Sequence, residues 1–151
     1  DVEEITCNEA GRALLSNSVS WIAFSPTVTL VGGAGNTVPV YTTNTGRYHR
    51  IGSTVFIDVY LTGDSGAEGA GTGQVNVALP LTSGANHPQG KYGIGHAYNG
   101  ATEYILFGTI NASVNTVTLD YSNALTTTAA FTGVDQNNTT RTIRLKFFYE
   151  V

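Results

Sequence analysis

Gly63-Asp64-Ser65 sets a serine directly behind an acidic residue, the pattern of one esterase nucleophile. A serine hydroxyl attacks a carbonyl only when a neighbouring base takes its proton, and that pattern needs a histidine near the C-terminus. The last histidine is His96, so the stretch reads as a glycine-rich turn. Glycoside hydrolysis asks for two carboxyl groups about 5–10 Å apart. Asp58, Glu103, Asp120 and Asp135 are isolated, each at the position of an outward strand or loop residue. His49, His87 and His96 match no metal-ligand spacing, and Asp64 with Glu68 lacks the alternating oxygens of a calcium loop. Gly71-Thr72-Gly73 and Gly93-Ile94-Gly95 lead into no helix, so neither cradles a phosphate. No catalytic residue, metal or cofactor is expected.

The aromatic residues carry a different chemistry. Flat rings stack on the C–H face of a sugar when fixed polar groups meet its hydroxyls. Trp21, Tyr48, Tyr92, Tyr98 and Tyr104 form the pool. Trp21 and Tyr92 read as structural, and Tyr98 is the best stacking candidate. It precedes Asn99-Gly100, the strongest two-residue hairpin signal. A two-residue turn pairs 98 with 101 and 96 with 103, so His96 meets Glu103 with Tyr98 just beyond. The candidate binding site is therefore His96, Tyr98, Asn99 and Glu103, joined by His87 from the Asn86-His87 loop. The competing reading is an ordinary polar hairpin tip.

These residues must be positioned by strands. The chain has 151 residues, 18 of them glycine, with 41% hydrophobic and 12% charged residues. That composition favours one turn-rich β domain with a sizeable core. Val55, Ile57, Val59 and Leu61 alternate with Phe56, Asp58 and Tyr60, so one face is aliphatic and buried. Gly52-Ser53 suits a type II′ turn joining this strand to residues 47–51. Further strands are expected at 19–24, 27–31, 38–43, 73–79, 91–98, 101–110, 114–121, 126–133 and 140–150. Many short strands between turn signals predict an all-β fold, an antiparallel β-sandwich of jelly-roll type. Asn8–Leu15 is the one plausible helix, with Asn8 as N-cap, in a short N-terminal helix or linker.

A net charge of −4 with seven dispersed cations excludes a nucleic-acid partner. Arg141, Arg144 and Lys146 read as a solvated strand face. Cys7 is alone, which excludes an intrachain disulfide scaffold. No apolar run approaches the roughly 18 residues of a membrane span, and no signal peptide is read at Asp1-Val2-Glu3-Glu4. The absence of Met leads us to expect a fragment or processed chain.

An ordered set of short motifs carries a resemblance. Trp21 and Pro26-Thr27-Val28, then Tyr41-Thr42, Gly46-Arg47-Tyr48 and Ile51-Gly52, are followed by Ala78-Leu79-Pro80-Leu81 and a closing Phe147-Phe148-Tyr149-Glu150-Val151. Together, over residues 21–151, they resemble the C-terminal head domains of phage tail fibres and tailspikes. Ala78 and Leu81 depart from the glycine and phenylalanine of that family's turn. The resemblance implies a homotrimer at the tip of a virion tail, assembled in the host cytoplasm. There it would bind a bacterial surface polysaccharide or lipopolysaccharide without catalysis, since tailspike hydrolases sit in a larger upstream domain. Residues 1–20 would then be a linker or shaft end and 21–151 the head. Strands apolar on both faces, such as Tyr104, Leu106 and Ile110 against Ile105 and Phe107, agree with a covering neighbour subunit. Two alternatives stay open: a structural module that trimerises or caps a fibre, and a cellular adhesin or carbohydrate-binding module.

Overall fold

The computed structural model describes residues 20–63, 67–87, 91–124 and 127–151. The helix expected at Asn8–Leu15 and Ser65 of the turn motif lie outside them. Ten strands form: β1 (Ile22–Phe24), β2 (Val28–Val31), β3 (Thr43–Ile51), β4 (Thr54–Gly63), β5 (Gln74–Ala78), β6 (Lys91–Tyr98), β7 (Glu103–Thr109), β8 (Thr116–Ala124), β9 (Thr127–Ala130) and β10 (Arg141–Glu150). Among the described residues, one 3-10 turn covers Gly133–Gln136. Among the described residues, no helix is long and apolar enough to cross a membrane.

The all-β antiparallel class is as expected. One hydrogen-bonded path runs β1-β3-β4-β10-β6-β7-β8-β5-β2, with β9 beside β8. The sheet curls into a half-barrel. Its inner face is the core. Val55, Ile57, Val59 and Leu61 of β4 meet Ile143 and Leu145 of β10, Leu106 of β7, Val117 and Leu119 of β8 and Val75 and Val77 of β5. Each such side chain contributes about 1.5–3 kcal/mol on burial. The alternation in β4 is as the sequence predicts. So is the turn: Ile51 pairs with Thr54, Gly52 takes φ 61°, and Ser53 is not left-handed, which is type II′.

Three local expectations are corrected. Of the strand expected at 38–43, only Thr43 lies in a strand. Instead Thr37 makes an isolated bridge to Ala70, and β3 begins only at Thr43. Arg141 is not a solvated residue but fully buried. Its guanidinium donates to the carbonyls of Val40, Asn138 (2.6 Å) and Ala67 (2.9 Å), so it straps the 37–42 crossing to the 67–70 loop. The β6–β7 register is the third. Tyr98 pairs with Glu103, Ala97 with Tyr104 and His96 with Ile105, two residues away from the expected pairing. The reason is Asn99. Its Oδ1 accepts the N–H groups of Ala101 (3.2 Å) and Thr102 (2.9 Å), which makes 99–102 a four-residue loop. A bulge at Ile94 then shifts β6 again and turns that side chain into the core.

Candidate functional site

The order β1-β3-β4-β10-β6-β7 lines up outward residues in rows across the outer face of the sheet. Partners in neighbouring strands point to the same side, so each row follows from register. The first row is aromatic. Trp21 meets His49 edge-on at 4.3 Å, His49 stacks on Phe56 at 4.6 Å, and Phe56 lies 6.0 Å from Phe148. The second runs Arg47, Asp58, Lys146. Arg47 donates to Asp58 Oδ2 through Nε at 3.0 Å and Nη2 at 2.7 Å, while Lys146 Nζ stands 4.0 Å off on the other side. The third runs Tyr60, Arg144, His96, Ile105, with the Arg144 guanidinium 4.6 Å from the Tyr60 ring centre. The fourth runs Thr62, Thr142, Tyr98, Glu103.

Three of the sequence-predicted residues thus share this face: His96, Tyr98 and Glu103. They do not form the expected constellation. His96 faces Ile105 and not Glu103, and it lines a depression of about 560 Å³ with Asp58, Tyr60, Arg144 and Lys146. The Tyr98 hydroxyl donates to the Gly100 carbonyl at 2.7 Å, which folds the ring back over its own turn. Asn99 is buried, and its Nδ2 donates to the Tyr104 hydroxyl at 3.2 Å, so it builds the turn instead of facing a ligand. His87 precedes β6, whereas Tyr98 ends it. Eight residues of strand, about 26 Å, keep His87 away from the hairpin tip.

Sequence reasoning passed over the aromatic row. Within it Trp21, which reads as structural in the sequence, is 41% exposed and Phe148 is 67% exposed; Tyr92, which reads the same way, is 45% exposed but lies off the row. A second depression of about 300 Å³ lies along the row between Trp21, Arg47, Phe56 and Phe148. The signal that could have found it is Phe56 among polar outward residues and Phe148 opposite Phe147. Recognising the row requires knowing that β10 lies beside β4.

His87 occupies a separate place. The β10–β6 ladder ends at Leu145 with Gly95, yet β10 continues to Glu150. Past the Ile94 bulge the two strands diverge and leave a slot of about 520 Å³, lined by Tyr92, Gly93, Phe147 and Phe148 with Lys146, Glu150 and His87. His87 is only 8% exposed. Its Nδ1 accepts the Glu150 backbone N–H at 3.4 Å, which puts the proton of the neutral ring on Nε2. Among the described residues, Nε2 has no hydrogen-bond partner. A buried donor left unpaired costs about 1–3 kcal/mol.

The outer face offers flat rings, an Arg-Asp-Lys row and histidines on a hydrogen-bonded sheet. Among the described residues, no three His, Cys, Asp or Glu side chains come close enough to hold a metal ion. The chain matches no family model, no curated protein and no solved structure.

Proposed function

We propose that the chain is a non-catalytic head domain of a phage tail fibre or tailspike that binds a bacterial surface glycan during host attachment. One observation carries the reading: the Trp21–His49–Phe56–Phe148 row lies beside the Arg47–Asp58–Lys146 row on the outer face. Sugars are held by ring faces packed on C–H groups and by charged or polar groups that grip hydroxyls. A sheet holds both in place at little entropic cost on binding. On this face Arg47, Arg144 and Lys146 stand with Asp58, Glu103 and Glu150, so its charges balance although the whole chain is acidic. Arg47, Arg144 and Lys146 supply the cations that anionic groups of a polysaccharide or lipopolysaccharide would meet. The homotrimer, the place at the tail tip and the kinship with jelly-roll heads belong to the same proposal and rest on the resemblance over residues 21–151.

A structural reading competes through a specific feature. Ile105 and Phe148 are 66% and 67% exposed on the same outer face, and apolar side chains so placed suit coverage by a neighbouring subunit. Adsorption of the purified chain to a panel of bacterial strains, with its mass measured by light scattering, separates the two. Adsorption that Phe148→Ser abolishes while the oligomer mass is unchanged supports the binding head. A trimer that adsorbs to no strain, and that Phe148→Ser dissociates, supports the structural module.

A further inference from the structure

We infer that the slot between β10 and the start of β6 is a subsite for an acidic sugar, a hexuronate unit of the glycan. The inference rests on the glycan-binding reading and names a second place and a ligand class for it. The slot arises from backbone geometry. Gly95 is pressed against Arg144, where an added Cβ would collide with the carbonyl oxygen, and the Ile94 bulge adjoins it. From there β6 leaves β10, and the Lys146–Glu150 stretch stays paired on its β4 side alone. In an antiparallel strand alternate residues aim their amide and carbonyl to the same side. Glu150 aims both away from β4, its N–H to His87 and its carbonyl to the Gly84 N–H at 2.8 Å. Lys146 and Phe148, in step with Glu150, therefore turn their backbone polar groups toward the slot.

The polar groups are sorted along its length. The Lys146 ammonium stands at one end, next to the cationic second and third rows. At the other end, four residues and about 13 Å along β10, are the Glu150 carboxylate and the unpartnered His87 Nε2–H. Tyr92 and Phe148 supply exposed apolar wall between. A hexuronate has the matching order: a carboxylate at one pole for Lys146, C–H faces for the rings, and hydroxyls at the other pole that donate to Glu150 and accept from His87 Nε2–H. A neutral hexose lacks the first contact. A peptide would meet the backbone groups but has no evident use for a cation and a carboxylate at opposite ends.

The test uses the full chain with glucuronic acid, galacturonic acid and glucose as probes, read by calorimetry and by chemical-shift mapping. His87→Asn keeps an acceptor where Nδ1 meets the Glu150 N–H and removes the Nε2–H, so the fold is spared. Lys146→Gln removes the charge. We expect one or both uronates to bind at least tenfold more tightly than glucose. Each variant should weaken that binding at least fivefold, with shifts at Tyr92 and Phe148. Equal affinity for uronates and glucose, shifts confined to Trp21, or unaltered binding in both variants would overturn the inference. Strain adsorption is scored in parallel. Adsorption that persists while the slot fails leaves the binding-head reading standing, and loss of both removes it.

Discussion

The indole of Trp21 meets the imidazole of His49 edge-on, with ring centres 4.3 Å apart and planes at 87°. Arg47 covers the other part of the indole, its guanidinium carbon 4.7 Å from the ring centre. Trp21 is the only tryptophan in the chain, so its emission reports on this row alone. A glycan seated on the row should shift Trp21 emission to the blue as water is displaced. Titration of an adsorbed polysaccharide with no change in emission would place the ligand elsewhere on the face.

Gly95 and Gly93 stand two residues apart and should respond in opposite ways to a methyl group. A Cβ at Gly95 collides with the Arg144 backbone, whereas one at Gly93 meets nothing within 4 Å. Gly95→Ala should cost about 3 kcal/mol, because backbone must move to make room. Gly93→Ala should stay within about 0.5 kcal/mol. Urea melts of the two variants check the contrast.

Asn99 is expected to matter for folding and not for adsorption. Alanine there would strand the N–H groups of Ala101 and Thr102 and remove the Nδ2 donor to Tyr104. Loss of these bonds should destabilise by about 2 kcal/mol. Thermal melting measures the loss, and adsorption per folded molecule should be unchanged.

Arg141→Ala should destabilise by about 3 kcal/mol, since three backbone carbonyls lose a charged donor in a buried place. The damage should spread to the segments it straps. Proteolysis should become faster near Val40 and Ala67 before global unfolding. Protection equal to the parent chain would show that the strap is dispensable.

Alkali should unfold the protein through its buried tyrosines. Burial pushes the Tyr149 hydroxyl up to about 12, and the Tyr41 and Tyr104 hydroxyls rise for the same reason. A folded-state value above the unfolded value of about 10 means that stability is intact below pH 10. It falls as pH rises from there toward 12. Tyr149 also donates to the Leu81 carbonyl at 2.8 Å and accepts the Leu81 N–H at 3.2 Å. Tyr149→Phe should be less stable at neutral pH yet show a shallower loss between pH 10 and 12. A slope equal to that of the parent chain would contradict the assignment.

What the sequence made legible is local. The Val55–Leu61 alternation and the Gly52-Ser53 turn depend on residues a few positions apart, and both are found. The β6–β7 register was not readable because an Asn side chain, and not backbone alone, closes the loop. Ile94 reads as a strand residue in step with its neighbours, and only the contact between Gly95 and β10 explains the bulge. Arg141 looks like any basic residue on a strand until distant loops bring it their carbonyls. The site rows join residues far apart in the chain, as in Asp58 with Lys146. Their composition is visible in the sequence, but their adjacency is set by strand order.

The placement of β10 also governs when the protein can become itself. Of the ten strands it lies furthest along the chain, yet it sits between β4 and β6. Take it away and the path breaks into β1-β3-β4 and β6-β7-β8-β5-β2, each with an open inner edge. Until β10 is in place, the two groups of strands share no ladder. Their aliphatic faces wait, and so does every row of the outer face that crosses β10. The ladder from β1 to β2 is therefore continuous only when the strand furthest along the chain has paired on both of its sides.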